Sequence, residues 1–411
     1  MRRVPAYPLY LATYSLLGML LAVAFTTNLV YQVEIVGLDP LQLVLVGTVL
    51  EATTFIFEVP TGVLADVYGR RLSVIVGTAL LGAGFTLEGA VPRFAAVLVA
   101  QVVWGFGHTF VSGALTAWLA DEIGEARLPA ALMRGAQVFR IGSLAGIALS
   151  VALASIDRSI PLVVAGVALI VMAAVLAGTM PELGFQRIAA GERHALRDLC
   201  DTAVAGVVAI RRRRVLMVVL VIALLYAPAS EALDRLTTPF LLDTITLPRL
   251  GPLDPVAWFG LMAYVATAAS LLILEVVHRR VDLEDDRAVA RALLLLNTVL
   301  IGAVAAFALA GNLAFALAAF WIFSPLRRVN EPIIQSWQNR FIPSAVRATV
   351  LSLGVQVDAI GQIAGGPLLG ALAVGLSVRA ALLAAALIMI PALAIYVLLL
   401  RGAQRAAAAI E

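Results

Sequence analysis

The sequence predicts an all-α integral membrane protein with twelve transmembrane helices in two similar six-helix bundles. Three observations lead there. The 411 residues are 62% hydrophobic and 13% charged, with a mean hydropathy of +1.00, too little charge for a soluble domain. Apolar runs of about 20 residues, long enough to cross a hydrocarbon core as helices, recur along the whole chain. A stretch of the first half also reappears in the second at a fixed offset.

The runs fall at 8–32, 40–64, 72–90, 94–120, 130–156, 160–178, 214–241, 256–277, 288–309, 313–339, 347–373 and 378–400. The first exceeds a signal-peptide core and lacks a small-residue cleavage pattern, so it is expected to stay as a span. An even count puts both termini on one side. Every basic residue is arginine, and only Arg93, Arg158, Arg249 and Arg379 lie on the odd-numbered connections. Arg140, Arg235, Arg327 and Arg328 sit within spans; the rest crowd the termini and the even connections. Positive-inside makes the termini cytoplasmic, and the expected location is the cytoplasmic (inner) membrane. The longest polar interruption, 179–213, is read as a linker between bundles 1–178 and 214–411. Its run "RRRR" at 211–214 is an anchor for span seven, with a lipid head-group site as the sharper alternative.

This distribution accounts for the basicity, so no nucleic-acid partner is expected. One cysteine, Cys200, excludes an internal disulfide, and His108, His194 and His278 are too scattered for a metal site. No Walker loop appears, and "GFGHTFVSGA" lacks the G-x-S-x-G of a nucleophile elbow. Neither enzyme activity, catalytic residues nor a cofactor is expected.

The internal repeat is carried by "GAQVFRIGSLAG" (135–146) and "GVQVDAIGQIAG" (354–365). Gly135, Gln137, Val138, Ile141, Gly142, Ala145 and Gly146 match Gly354, Gln356, Val357, Ile360, Gly361, Ala364 and Gly365. At the same offset Trp118 falls on Trp337 and His108 on Arg327. Packing glycines alone could converge, but aligned glutamines favour a true repeat. Parallel repeats are the pattern of carriers that rock two bundles about a site near the midplane.

Between spans two and three stands "GVLADVYGRR" (62–71). It resembles the signature loop of the major facilitator superfamily, through Gly62, Leu64, Asp66, Gly69, Arg70 and Arg71. Gly62 and Gly69 suit a tight turn, and Asp66 suits the positive end of another helix. The resemblance names that helix as span eleven, after "IPSAVRAT". It sends Arg70 and Arg71 to acids at the foot of span four, here Asp121 and Glu122. These residues would form a latch closing an inner gate; the plainer reading is a topogenic turn. "EVPTGVLADVYGRR", "SGALTAWLADE", "RGAQV" and "SEALDRL" resemble the twelve-helix drug-exporter branch, which includes macrolide, tetracycline and siderophore exporters. Two departures weaken proton antiport. Gln101 replaces the arginine of R-x-x-x-G-x-G ahead of Gly105 and Gly107. The antiporter motif is partial in span five, and "GQIAGGPLLG" in span eleven is the fuller version.

Charges inside spans are costly and face a cavity, a partner or a pathway. Span ten carries Arg327, Arg328 and Glu331, and Asp358 of span eleven lies near the same depth. Arg327–Asp358 or Arg328–Asp358 is the favoured pair, with Arg327–Glu331 as competitor. Glu51 and Glu58 share one face of span two, with Arg140 a partner for Glu58. Glu231, Asp234 and Arg235 lie on span seven near Pro228, a point where that helix can break. Asp358, Glu231, Glu51 and Glu58 are the candidates for proton coupling; Trp104, His108, Arg140, Arg327, Arg328, Glu331, Asp234 and Arg235 are assigned to a substrate cavity. The expected activity is proton-coupled export of small amphipathic, drug-like molecules by alternating access, by a monomer in the bilayer. The alternative is uptake or facilitated movement of a metabolite or lipid.

Overall fold

The computed structural model describes residues 5–185, 208, 210–211, 214–250, 254–282, 284–342 and 347–408. Span one is two helices, Ala6–Phe25 and Asn28–Glu34. At the join, the Thr26 hydroxyl donates to the carbonyl of Ala22 at 2.6 Å, and Thr27 shares a 3.1 Å hydrogen bond with Ser150. Span two runs Pro40–Tyr68, started by a reciprocal cap between Asp39 and Gln42 and by Pro40 in the first turn. Span three is Arg70–Ala90. Span four is Phe94–Ser112 followed by Ala114–Ile123, broken at Gly113. Leu128–Ala154 and Ile160–Thr179 complete the first six.

Span seven is Arg214–Thr244, continuous through Pro228 and Pro239, so the break expected near Pro228 is absent. Then follow Ala257–Arg280, Asp286–Ala308, Leu313–Asn339, Arg347–Gly375 and Val378–Ala408. Among the described residues, eleven spans are long and apolar enough to cross a membrane. The twelfth, Leu313–Asn339, carries Arg327, Arg328 and Glu331 at its middle, which lowers its hydropathy without shortening it. The arginine anchor at 211–214 lies largely outside the described residues.

The chain forms two compact units. One comprises Met1–Glu192 with Pro248–Ala263, the other Arg193–Leu247 with Tyr264–Glu411. The segment 248–263 thus groups with the first unit, although it follows span seven in sequence. In the first unit span five packs on span one, and span three on spans four and six. In the second, span eleven packs on span seven, and span nine on spans ten and twelve. The same scheme is repeated, and the register is kept. Helices start at Phe94 and Leu313, and at Leu128 and Arg347, each pair of positions 219 apart in the numbering of those two sets of helices.

Glycine makes the first of these contacts possible. A β-carbon on Gly142 would collide with the carbonyl oxygen of Ser15, and one on Gly146 with that of Met19. At the related positions, Gly361 faces Ala227 and Gly365 accommodates the ring of Pro228. Close approach raises van der Waals contact, which drives helix association in lipid. The core of the first unit gathers Tyr10, Phe85, Trp104 and Trp118; that of the second gathers Leu293, Val329, Trp337 and Tyr396.

Candidate functional site

Two polar regions stand out, one at the foot of the first unit and one within the second. At the foot, Gly69 alone separates spans two and three, with φ of 117°, a conformation that glycine adopts without steric cost. A side chain there would also press on Glu182, whose Oε1 accepts from the backbone N of Arg71 at 3.0 Å. Glu182 therefore caps span three. Arg70 donates to Asp121 Oδ2 at 2.6 Å and to the carbonyl of Ala117 at 2.8 Å, and lies 3.7 Å from Asp66. Arg71 donates to the carbonyl of Ala177.

Glu122 meets neither arginine. It accepts from the backbone N of Leu183 and of Gly184, at 2.5 and 2.9 Å, while Trp118 Nε1 donates to Pro181 O at 2.7 Å. The acid placed in the arginine cluster by sequence is thus a clamp on the turn after span six. Gly62 also departs from expectation: it lies inside the helix of span two, in open space, and makes no turn. Asp66 is half-exposed. The approach to span eleven that the resemblance pairs with it, residues 343–346, lies outside the described residues. A cavity of about 260 Å³ opens beside the foot, lined by Glu58, Gly62, Asp66, Arg70, Thr109 and Gly113. Arg140 is exposed and forms no ion pair with Glu58 among the described residues. Glu51 is partly buried on the same helix as Glu58.

In the second unit the arginine pairing differs from the expected one. Arg327 donates through both terminal nitrogens to Asp234, at 2.8 and 2.9 Å, and to Ser230 Oγ at 2.6 Å. Such a two-pronged contact is the strong form of the pair. Arg235 holds Glu231 at 3.0 Å, one turn along the same helix. Asp358 is left to Gln362, at 2.7 Å, and Glu331 to Gln335, at 2.9 Å. Arg328 donates to Thr267 Oγ1 at 3.0 Å.

The first unit holds a network that sequence reading missed. Glu88 of span three is fully buried. It accepts from Gln32 Nε2 at 2.7 Å and Gln101 Nε2 at 3.0 Å. Gln101 in turn accepts from Trp104 Nε1 at 2.8 Å, and Tyr31 donates to the backbone O of Glu88 at 2.6 Å. Trp104 thus serves a buried network, and exposed His108 contacts its edge with ring centroids 6.4 Å apart. The available signal was an acid inside an apolar run with glutamines on two neighbouring spans. Near the same end, Arg158 bridges Glu34 at 2.9 Å and Asp254 at 2.8 Å. Partial burial works against its charge, but the two carboxylates outweigh that and raise the guanidinium pKa further.

Twelve spans in two repeat-related units, with ion pairs and amides held at mid-depth, define the carrier class of membrane protein. Residues 9–355 match the family model of the Major Facilitator Superfamily, and the chain belongs to that superfamily. It is a multi-pass transporter of that family and not an enzyme. It is 24% identical over 362 residues to an uncharacterized MFS-type transporter, YxaM, of Bacillus subtilis (strain 168), covering 87% of each chain. Among solved structures it resembles a bacterial homolog of the human lysosomal transporter Spinster, with TM-score 0.75 and 15% identity over 97% of this chain and 98% of that one. It also resembles the nucleoside transporter NupG, with TM-score 0.74 and 12% identity over 96% and 99%. A POT family transporter in complex with a thioalcohol-conjugated peptide gives TM-score 0.68 and 13% identity over 97% and 95%. At these identities the likeness shows the fold.

Proposed function

We propose that this transporter exports small amphipathic molecules, drug-like compounds among them, by alternating access and in exchange for protons. The reading rests chiefly on the charged face in the middle of span ten. A helix crossing lipid with Arg327, Arg328 and Glu331 at its centre must turn them toward protein, water or cargo. The foot residues Gly62, Asp66, Gly69, Arg70, Arg71, Asp121 and Glu122 would form the inner latch, and Asp358, Glu231, Glu51 and Glu58 the proton-coupling candidates. Trp104, His108, Arg140, Arg327, Arg328, Glu331, Asp234 and Arg235 would serve the cavity. The protein would act as a monomer in the cytoplasmic membrane, both termini inside, with bundles 1–178 and 214–411 joined by the linker 179–213.

A second reading keeps the fold and reverses the direction: uptake or facilitated movement of a metabolite or lipid. Gln101 supports it, because a neutral amide holds Glu88 where drug exporters carry an arginine. The deciding measurement is accumulation of a lipophilic dye in cells with and without the protein, repeated with a proton uncoupler. Export predicts lower accumulation that disappears with uncoupler. Higher accumulation overturns export in favour of uptake. Amide substitution of each of the four candidate acids tests coupling, and unchanged proton-driven transport in all four removes that part.

A further inference from the structure

Span ten presents a base and an acid, Arg328 and Glu331, that form no ion pair with each other or with another charge among the described residues. Arg327 is saturated by Asp234 and Ser230. Its neighbour Arg328, roughly midway along the 27-residue helix, spends one N–H on the neutral hydroxyl of Thr267. Glu331 lies three residues on, on the same face as Arg328, and is held by the neutral amide of Gln335. No ion pair joins the two, or joins either to another charge, among the described residues. Both side chains are exposed, so each keeps hydrogen-bonding capacity directed away from protein partners.

The surroundings reinforce this pattern. Ser324, Arg328, Glu331, Gln335 and Gln338 repeat at three- and four-residue spacing, giving the helix one polar stripe. Pro332 has no N–H to offer the carbonyl of Arg328. Glu331, lacking an ion pair among the described residues, favours a positive group beside it. Arg328 favours a negative group a few ångströms away.

We propose that this stripe binds a zwitterion, its ammonium on Glu331 and its carboxylate or phosphate on Arg328. The proposal rests on reading span ten as facing the substrate, and it narrows the amphipathic class to dipolar members. A dipolar ligand would also bring each of them an opposite charge, which offsets the cost of holding Arg328 and Glu331 without ion pairs.

The test uses the purified full chain in detergent and in vesicles, with matched probes: phenylalanine and tryptophan, their methyl esters, and their N-acetyl derivatives. Also included is an aromatic drug bearing both a carboxylate and an amine, with its ester and N-acyl forms. Binding is read by ligand-induced shift of the unfolding midpoint. At least one zwitterion is expected to act at about tenfold lower concentration than its capped forms, the size of one charge-assisted contact. Arg328→Gln should erase the preference over the ester, and Glu331→Gln the preference over the N-acyl form. Arg328→Lys should restore much of the first, which separates recognition from misfolding. The proposal is overturned if capped forms bind as well as the zwitterions, or if no triplet binds while neutral dye is exported. Zwitterion binding together with raised cellular accumulation of that zwitterion would sink the export reading and leave this one standing.

Discussion

Spans three and four of the first unit and spans nine and ten of the second occupy the same place in the repeat, yet they are held by opposite chemistry. At the foot, Arg70 opens span three and Asp121 closes span four, 2.6 Å apart. In the second unit Asp286 opens span nine and Arg340 closes span ten, 3.2 Å apart. Asp121 and Arg340 are related by the repeat, so the ion pair has been rebuilt with its polarity reversed. Beside each stands a related tryptophan: Trp118 donates to Pro181 O and Trp337 to Asp286 Oδ1. At the other end, the positions of buried Glu88, Gln101 and Trp104 correspond to Phe307, Phe320 and Phe323. Those three phenylalanines form a ring cluster with centroids 5.2 to 6.5 Å apart. The helix frame tolerates either there: amides that hold the buried Glu88 carboxylate, or rings that pack on one another. A repeat in backbone geometry is therefore no guide to where the chemistry sits.

The largest effect that sharpens this contrast is at the heads. Phe307→Ala should cost about 3–5 kcal/mol by cavity formation. Gln101→Ala should cost about 1–3 kcal/mol, because it strands Trp104 Nε1 and takes one donor from the buried Glu88 carboxylate. Thermal unfolding in detergent reads both. If Gln101→Ala proves the costlier, the polar network is more than a packing substitute.

A smaller effect is expected at the feet. The Arg70 and Asp121 side chains are 24% and 25% exposed, against 36% and 46% for Arg340 and Asp286. Solvent screening weakens the second pair more. Arg70→Ala should destabilise by about 1 kcal/mol, and Arg340→Ala by about half of that. Since the second unit uses the reversed order, Arg70→Asp combined with Asp121→Arg should recover part of what either change loses alone. A double-mutant cycle measures it. Additive losses would show that Ala117 O and the capped start of span three fix the polarity after all.

Much of the frame was legible in the sequence, because span length and glycine spacing are one-dimensional signals. The runs at 94–120 and 313–339, and the Gly142/Gly361 and Gly146/Gly365 matches, locate spans and predict which helices approach closely. Pairing was less legible, because it depends on the rotation of each helix. Asp358 and Asp234 both lie near the depth of Arg327, and only the turn of span seven toward span ten selects Asp234. Glu122 follows Asp121 by one residue, so on a helix it points about 100° away and meets the backbone after span six instead of an arginine. Glu88 reads as a blemish in an apolar run until Gln32 and Gln101 converge on it from two other spans. The drug-exporter branch rests on short motifs, while the family match and the structural neighbours support the superfamily as a whole.

The smallest expected effect is one of pH, and it too separates the units. Before span six, the Asp157 carboxylate accepts from Ser159 Oγ at 2.5 Å and from Ser159 N at 2.8 Å. Those bonds favour the charged form and pull its pKa below the ordinary carboxylate range. Before span twelve the same job falls to a hydroxyl, with Ala380 N donating to Ser377 Oγ at 3.1 Å, and that cap does not titrate. A carboxyl whose folded-state pKa is depressed contributes its full stability above its unfolded value and loses it as pH falls through the folded one. Lowering pH from 7 to below about 3 should therefore lower the protection of amides at the start of span six, measured relative to their intrinsic exchange rate at each pH, while leaving protection at the start of span twelve unchanged. Asp157→Asn should remove that pH dependence. Equal loss of protection at both starts would trace the effect to general acid loosening instead of to this cap.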